Sequence, residues 1–267
     1  FKTSSDTEVI LAAYRKWGHE CLLHLRGMFV FAIWDEARSE LFCARDRFGI
    51  KPFCYATVEN HFYFASEAKA ILPFLPVIAT DGNALKDYLA FQFCLAGKTL
   101  FKGVQELLPG HLLTVRNGQI STRRYWEVYY DVDFTLSSEA CEERIHDLLE
   151  DSIRFHLRSD VPVGAYVSGG IAPSSVAILA RRERSSDFLG FTGKFALGPD
   201  YDESEYARIV AEAADFDLHE VTITAADFVN EIQRVIYHLD CPVAGPGAFP
   251  QFMVARLAGS HPKGVLG

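Results

Sequence analysis

Two parts of different fold class are predicted: an α+β region built on antiparallel strands, then an α/β region built on a parallel sheet. Three observations carry this expectation. In the first half, short strand-like runs follow one another closely, and Asn117-Gly118 separates residues 111–115 from 119–125. Asn-Gly between two such runs is a strong hairpin signal, and strands joined so tightly must be antiparallel. In the second half, strand-like runs alternate with helix-length stretches, which implies parallel βαβ units. Between the two rhythms lies a polar stretch, 131–138, which reads as a linker. The expected division is 1–130, a linker at 131–138, and 139–267.

The elements follow in order. Val9, Ile10, Ala13, Tyr14 and Trp17 recur at helical spacing behind Asp6, which is expected to cap that helix. Residues 28–34 form a continuous apolar and aromatic run, expected to be a strand buried on both faces. Residues 41–44, 53–56 and 61–65 are further strands of this half. The second half opens with a helix over 139–155, then a strand over 161–167, a glycine turn and a helix from about Ser174. Strands over 188–192 and 218–223 are followed by helices over 203–214 and 225–239, respectively preceding and succeeding the latter strand.

With 49% hydrophobic residues among 267, the chain holds enough apolar material for two domains. A net charge of -9 repels phosphate backbones at long range and argues against a nucleic-acid partner. No window approaches the roughly 20 apolar residues that span a bilayer, so no membrane partner is expected. The six cysteines (Cys21, Cys43, Cys54, Cys94, Cys141 and Cys241) show no metal-ligand spacing. In a chain of this size they read as reduced thiols of a cytoplasmic protein. The chain opens at Phe1 and closes on Lys263-Gly264-Val265-Leu266-Gly267, which resembles the start of a buried strand; truncation at both ends is expected.

The most informative segment runs Val161-Pro162-Val163-Gly164-Ala165-Tyr166-Val167-Ser168-Gly169-Gly170-Ile171-Ala172-Pro173-Ser174-Ser175. A buried strand leads into Ser-Gly-Gly and then into a helix. Glycines let backbone N–H groups approach a ligand, and a helix N-terminus adds partial positive charge, so the pattern suits an anion. It lacks the spacing and the lysine of a Walker A loop. On the local pattern alone, an ordinary strand-to-helix turn tightened by glycine is an equal alternative.

Ser168-Gly169-Gly170-Ile171 with Ser174 resembles the pyrophosphate loop of ATP pyrophosphatases that form acyl-adenylates, and Arg158-Ser159-Asp160-Val161-Pro162-Val163-Gly164 resembles its asparagine synthetase form. Ser4-Ser5-Asp6-Thr7-Glu8, Arg26-Gly27-Met28-Phe29, Ala44-Arg45-Asp46-Arg47-Phe48-Gly49-Ile50-Lys51-Pro52, Phe64-Ala65-Ser66-Glu67, Leu108-Pro109-Gly110-His111 and Arg124-Tyr125-Trp126 resemble the glutaminase half of the same enzymes. Asp240, Pro242-Val243-Ala244-Gly245-Pro246-Gly247 and Phe249-Pro250-Gln251 resemble the synthetase half. The chain thus resembles the glutamine-hydrolysing asparagine synthetases along nearly its whole length.

That resemblance implies a class II glutamine amidotransferase domain of N-terminal-nucleophile hydrolase fold, truncated at its start. It is followed by a Rossmann-like ATP-pyrophosphatase domain, truncated at its end. The implied reaction converts aspartate to asparagine through β-aspartyl-AMP, with ATP and Mg²⁺, using ammonia from glutamine. Glutamine, aspartate and ATP are the implied small-molecule partners, and the resemblance allows a homodimer. It assigns Asp6 to the glutamine α-amine and Val167, Ser168, Gly169, Gly170, Ser174, Gly193 and Gly267 to ATP. Gly193 is expected just beyond the strand that follows the loop.

The sequence also departs from the pattern. The family's nucleophile is an N-terminal cysteine, and none of the six cysteines is terminal, so this chain alone is expected to be inactive. Cys21 reads as buried packing. Ala172 stands where the family has a magnesium-binding Asp, and Pro173 where it has Ser; proline is tolerated in a first turn, so the fold is expected to survive. Two alternatives stay open: a relative adenylating another carboxylate, as β-lactam synthetases do, or a non-catalytic scaffold with a degenerate loop. Arg45, Asp46, Arg47 and Lys51 read as an ion-paired structural loop, and Tyr201, Asp202, Glu203 and Glu205 as the cap and opening of a helix, an acidic segment near the expected nucleotide side. His219 and His238 read as core or surface residues rather than metal ligands.

Overall fold

The computed structural model describes residues 1–184, 188–196, 198, 202–240, 245, 247–261 and 264–266. The chain forms two compact units, one built on Phe1–Asp131 and the other on Val132–Leu239 with the described residues from 245 onward.

In the first unit, α1 (Asp6–Trp17) buries Ala13 and Tyr14. Its cap is Ser5, whose hydroxyl accepts from the Thr7 N–H, so Asp6 is the first helical residue and not the cap. An acidic side chain there complements the helix dipole, which is why Asp and Ser in succession are easily misassigned by one position. Gly18 ends the helix at φ 58 and donates its N–H to the Tyr14 carbonyl. Cys21 follows in a 3-10 turn, fully buried, as its apolar surroundings suggested.

Strands β1 (Val30–Asp35), β2 (Glu40–Arg45), β6 (His111–Arg116) and β7 (Gln119–Arg124) form an antiparallel sheet in the order β1-β2-β6-β7. Expected to be buried on both faces, β1 lies instead at the sheet edge with Trp34 62% exposed. Its continuous apolar run reflects aromatic residues on a half-covered face, which periodicity cannot separate from full burial. The Asn117-Gly118 turn has φ of 51 and 73, both positive as a type I′ hairpin requires. A second antiparallel sheet, β4-β3-β5, comprises β3 (Cys54–Val58), β4 (His61–Ala65) and β5 (Gln105–Glu106). Phe53, Cys43, Leu107 and Leu113 are buried in one cluster that draws on both sheets. Helix α2 (Gly82–Phe91), which the pattern did not predict, is capped by Asp81 accepting from the Asn83 and Ala84 N–H groups.

The 45–51 loop is ordered, but not by mutual ion pairs among its residues. Arg45 donates to the carbonyls of Lys51, Leu107 and Gly49, and its ion pair is with Glu106 at 3.3 Å. Asp46 accepts from the N–H groups of Phe48, Ile50 and Lys51, while Arg47 reaches the Leu25 carbonyl. Charged side chains here satisfy backbone groups that a non-repetitive loop leaves unpaired.

The second unit begins with α3 (Ser138–His156), capped by Ser137. It continues through β8 (Val163–Tyr166), α4 (Ile171–Glu183), β9 (Leu189–Phe195), α5 (Ser204–Ala214), β10 (Asp217–Ile223), α6 (Ala225–Leu239), α7 (Ala248–Gly259) and β11 (Gly264–Leu266). All pairings in its sheet are parallel, in the order β10-β9-β8-β11. Helices α3, α4 and α5 supply a core with Ile153, Leu157, Ala177, Ala180 and Ala207 against Val163, Ala165 and Val167. Another core joins Val235 of α6 and Phe249 and Met253 of α7 to Ile223 of β10. Strand order reverses at β8, where the chain returns past β9 and β10 to place β11 on β8's other side; such a switch point is where open α/β sheets bind ligands.

Three expectations shift here. Helix α4 opens at Ile171, three residues before Ser174, and so includes Ala172 and Pro173. Gly193 lies within β9 rather than beyond it. Helix α7 was not predicted; Pro250 lies in its first turn, where proline is tolerated. Among the described residues, no helix is long and apolar enough to cross a membrane.

Candidate functional site

The phosphate-type loop is built by β8 running out into Ser168. The Val167 N–H still donates to the Phe191 carbonyl of β9, so the sheet holds the strand up to the loop. Val167 itself is 1% exposed and belongs to the core, which leaves only its main chain available to a ligand. Gly169 then takes φ 80, and a Cβ there would stand 2.3 Å from the Tyr206 Cβ. Glycine is therefore required twice: for its left-handed conformation and for close packing onto the first turn of α5. Gly170 is the N-cap of α4, extended at φ -66, and a Cβ would meet nothing closer than 3.5 Å.

The opening turn of α4 leaves its first amide groups without intrahelical acceptors. Pro173 occupies the third helical position, so the N–H it lacks is one the helix would not have used. The fold has kept the proline without breaking the helix, while the loop has one donor fewer for an anion. Ser174 donates its N–H to the Gly170 carbonyl. Its Oγ is the one side-chain polar atom among the described residues that is buried without a hydrogen-bond partner.

Ser168 lines a cleft of about 500 Å³ with Thr192, Gly193, Phe195, Glu203, Pro250, Gln251 and Val254. The structure thus brings together Ser168 and Gly193, two residues expected to meet ATP. A Cβ on Gly193 would lie 2.9 Å from the Ile223 Cδ1 and 3.1 Å from the Val254 Cγ2, so glycine there serves packing as well. Gly169, Gly170 and Ser174 shape the loop behind Ser168 without lining the cleft. Asp6 is exposed in the first unit, in the first turn of α1. Gly267 and Tyr201 lie outside the described residues, as do Cys241, Pro242, Val243, Ala244 and Pro246 of the second-half motifs.

Sequence reasoning did not assign Thr192, Phe195, Glu203, Pro250, Gln251 or Val254 to the site. Pro250 and Gln251 stood in a family-like motif, and Glu203 in an acidic segment expected near the nucleotide side; the others converge only through tertiary structure. Thr192 is 5% exposed, which makes it a buried polar residue at the cleft wall. Beside Glu203 in the chain, Asp202 accepts from the Ser204 N–H at 3.0 Å, and this bond, supported by Lys194 and Arg208, holds its carboxyl below the usual range. Asp202 thereby opens α5, as expected of this segment. Glu203, the N-cap position, makes no capping bond.

The cleft's volume is within the roughly 300–1,000 Å³ of small-molecule sites, and the exposed Ser168 that leads into the α4 N-terminus lines it. Position 172 does not suit a metal ion, because Ala172 offers a methyl group where oxygen ligands are needed. Elsewhere, His219 stacks on Phe191 at 5.6 Å and lies 4.4 Å from the His261 ring, an aromatic packing role.

The two parts of the chain match two different families of known proteins. Residues 1–126 match the glutamine amidotransferase domain family and residues 144–267 match the asparagine synthase family. The chain is 36% identical over 265 residues to asparagine synthetase [glutamine-hydrolyzing] 1 of Bacillus subtilis, covering 98% of this chain and 41% of that protein. It is 38% identical over 274 residues to a putative asparagine synthetase [glutamine-hydrolyzing] of Mycobacterium bovis, covering 100% of this chain and 42% of that protein. An amidase of Gibberella zeae is 30% identical over 282 residues, covering 99% of this chain and 41% of that protein. The chain therefore spans about two fifths of the length of the curated relatives it matches. With a glutamine amidotransferase domain joined to an asparagine synthase domain, it belongs to the family of glutamine-hydrolysing asparagine synthetases.

Proposed function

We propose that this chain is part of an ATP-dependent carbon–nitrogen ligase that converts aspartate to asparagine through β-aspartyl-AMP, drawing ammonia from glutamine. In this reading residues 1–130 are the glutaminase part, of N-terminal-nucleophile hydrolase fold; 131–138 are the linker; 139–267 are the ATP-pyrophosphatase part. The observation that carries it is the cleft at the carboxyl ends of β8 and β9, where Ser168 of the Gly-rich loop and Gly193 face one volume.

A carboxylate is a poor electrophile, and adenylation gives it a good leaving group, so one hard substitution becomes two easier ones. ATP supplies that group. Toward it, the α4 N-terminus with Gly169 and Gly170 presents main-chain donors to phosphate, and Ser168 adds a hydroxyl. Ser174 holds a hydroxyl in reserve behind the loop, while Gly193 and the main chain of Val167 flank the nucleotide, joined by Gly267. Asp6 takes the α-amine of glutamine in the first unit. The whole machine works in the cytoplasm with Mg²⁺, and a homodimer is compatible with it.

The test is aspartate-dependent exchange of labelled pyrophosphate into ATP by the intact protein. Exchange that requires aspartate supports the proposal; exchange driven by another carboxylate and not by aspartate assigns a different acyl substrate. A second reading is favoured by Ala172 and Pro173: a scaffold that keeps the fold and no longer turns over ATP. It predicts no exchange with any carboxylate and no metal-dependent nucleotide binding by calorimetry.

A further inference from the structure

Among the described residues, Glu203 is the only charged one lining the cleft that holds Ser168 and Gly193. Its position is fixed from two sides. It directly precedes α5, whose first turn abuts the phosphate-type loop: the Gly169 Cβ position lies 2.3 Å from the Tyr206 Cβ and 3.1 Å from the Ala207 nitrogen. Its side chain is also not used as a cap: it makes no capping bond, and Asp202 performs that task for Ser204. Glu203 is exposed toward the cleft volume rather than folded into the helix.

A lone carboxylate in a cleft shaped for polyphosphate is unfavourable by itself, because like charges repel most strongly where water is partly excluded. The arrangement becomes favourable once a divalent cation stands between carboxylate and phosphate, as hard cations are usually bound by one or two carboxylates plus substrate phosphates. The loop offers no carboxylate of its own, because position 172 is alanine.

From this we propose that Glu203 supplies the protein's carboxylate ligand to the magnesium of Mg-ATP, taking over from across the cleft the task that Ala172 has lost. The inference rests on the ATP reading of this cleft and goes beyond it by naming the metal-binding residue. It also accounts for a chain that retains Ser168, Gly169, Gly170 and Ser174 while the loop carboxylate is gone.

The experiment measures ATP binding by calorimetry with Mg²⁺ and with EDTA, for the unaltered protein, Glu203→Gln and Glu205→Gln. Glu205 carries the same charge on the same helix and does not line the cleft. Mn²⁺ in place of Mg²⁺, followed by electron paramagnetic resonance, reports the metal directly. Mg²⁺ is expected to tighten ATP binding at least tenfold in the unaltered protein and in Glu205→Gln. In Glu203→Gln that gain should fall to twofold or less, with metal-free binding unchanged and the signal of bound Mn²⁺ weakened. Full metal dependence in Glu203→Gln overturns the assignment. Equal loss with and without metal places Glu203 on the nucleotide's sugar or base and overturns it too. No ATP binding under any condition fails the underlying ATP reading, whereas metal-independent ATP binding by the unaltered protein fails only this inference.

Discussion

Gly169→Ala isolates what the loop demands of its backbone. At φ 80 an alanine sits in left-handed territory, which destabilises by about 1–2 kcal/mol. The added Cβ would also lie 2.3 Å from the Tyr206 Cβ and 3.1 Å from the Ala207 nitrogen, too close to leave either in place. Forcing extra volume into packed structure adds roughly 1–3 kcal/mol. Together the substitution should destabilise the second unit by about 2–5 kcal/mol, a large share of an ordinary domain's stability of about 5–15 kcal/mol. Gly170→Ala is the control: at φ -66 and with no neighbour nearer than 3.5 Å, it should lose about 0.5–1 kcal/mol as a poorer N-cap. The assay must resolve the units, because a two-unit chain need not unfold in one step. Trp17, Trp34 and Trp126 all lie in the first unit, so tryptophan fluorescence does not report on the loop. Hydrogen exchange of the α4 and α5 amides in increasing urea does. An exchange free energy that falls no more for Gly169→Ala than for Gly170→Ala would refute the packing argument.

Three further predictions follow from other parts of the molecule. Converting Ala172→Asp together with Pro173→Ser should strengthen Mg-ATP binding tenfold or more, since a hydrogen bond to a charged group contributes about 1.5–3 kcal/mol; calorimetry on the intact protein reads this directly. Arg45→Ala should destabilise the first unit by about 3–5 kcal/mol in urea titrations, because one buried and two half-buried carbonyl acceptors lose a charged donor. Burial, with its bond to Asp35, pushes the Tyr14 hydroxyl up to about 12. The folded state therefore keeps a proton that the unfolded chain releases near its ordinary value of about 10. Stability from this group is complete below about 10 and is lost as pH rises toward about 12; Tyr14→Phe should flatten that alkaline decline in fluorescence-monitored denaturation.

Much of the fold was legible because local chemistry and tertiary structure agree. The Asn117-Gly118 turn needs two positive φ values and has the residues that tolerate them, so the hairpin and its register follow. Strand β4 and helix α6 fall where residues 61–65 and 225–239 place them. The misassignments occur where local pattern is silent about surroundings. Met28 through Trp34 is apolar whether its strand lies at an edge or in the centre, and only the sheet order distinguishes these. Ile171, 90% exposed, carries no core signal and so hid the true start of α4. At the site, Ser168, Gly169 and Gly170 were visible because glycine and helix start are local features. Thr192 and Val254 were not, because they reach the cleft from separate elements, and Glu203 was placed only as part of an acidic segment on the nucleotide side. Glu203 in particular resembled a cap, and the structure assigns capping to its neighbour Asp202 instead.

The account rests on the cleft beside Ser168 being the ATP site, and amide-resolved NMR of isotope-labelled protein titrated with Mg-ATP tests it most directly. Saturable shifts are predicted at Ser168, Gly169, Gly170, Ile171 and Gly193, with Gly27 and Gly118 of the first unit unmoved. Saturable shifts confined to other residues, or none at millimolar ATP, would contradict it.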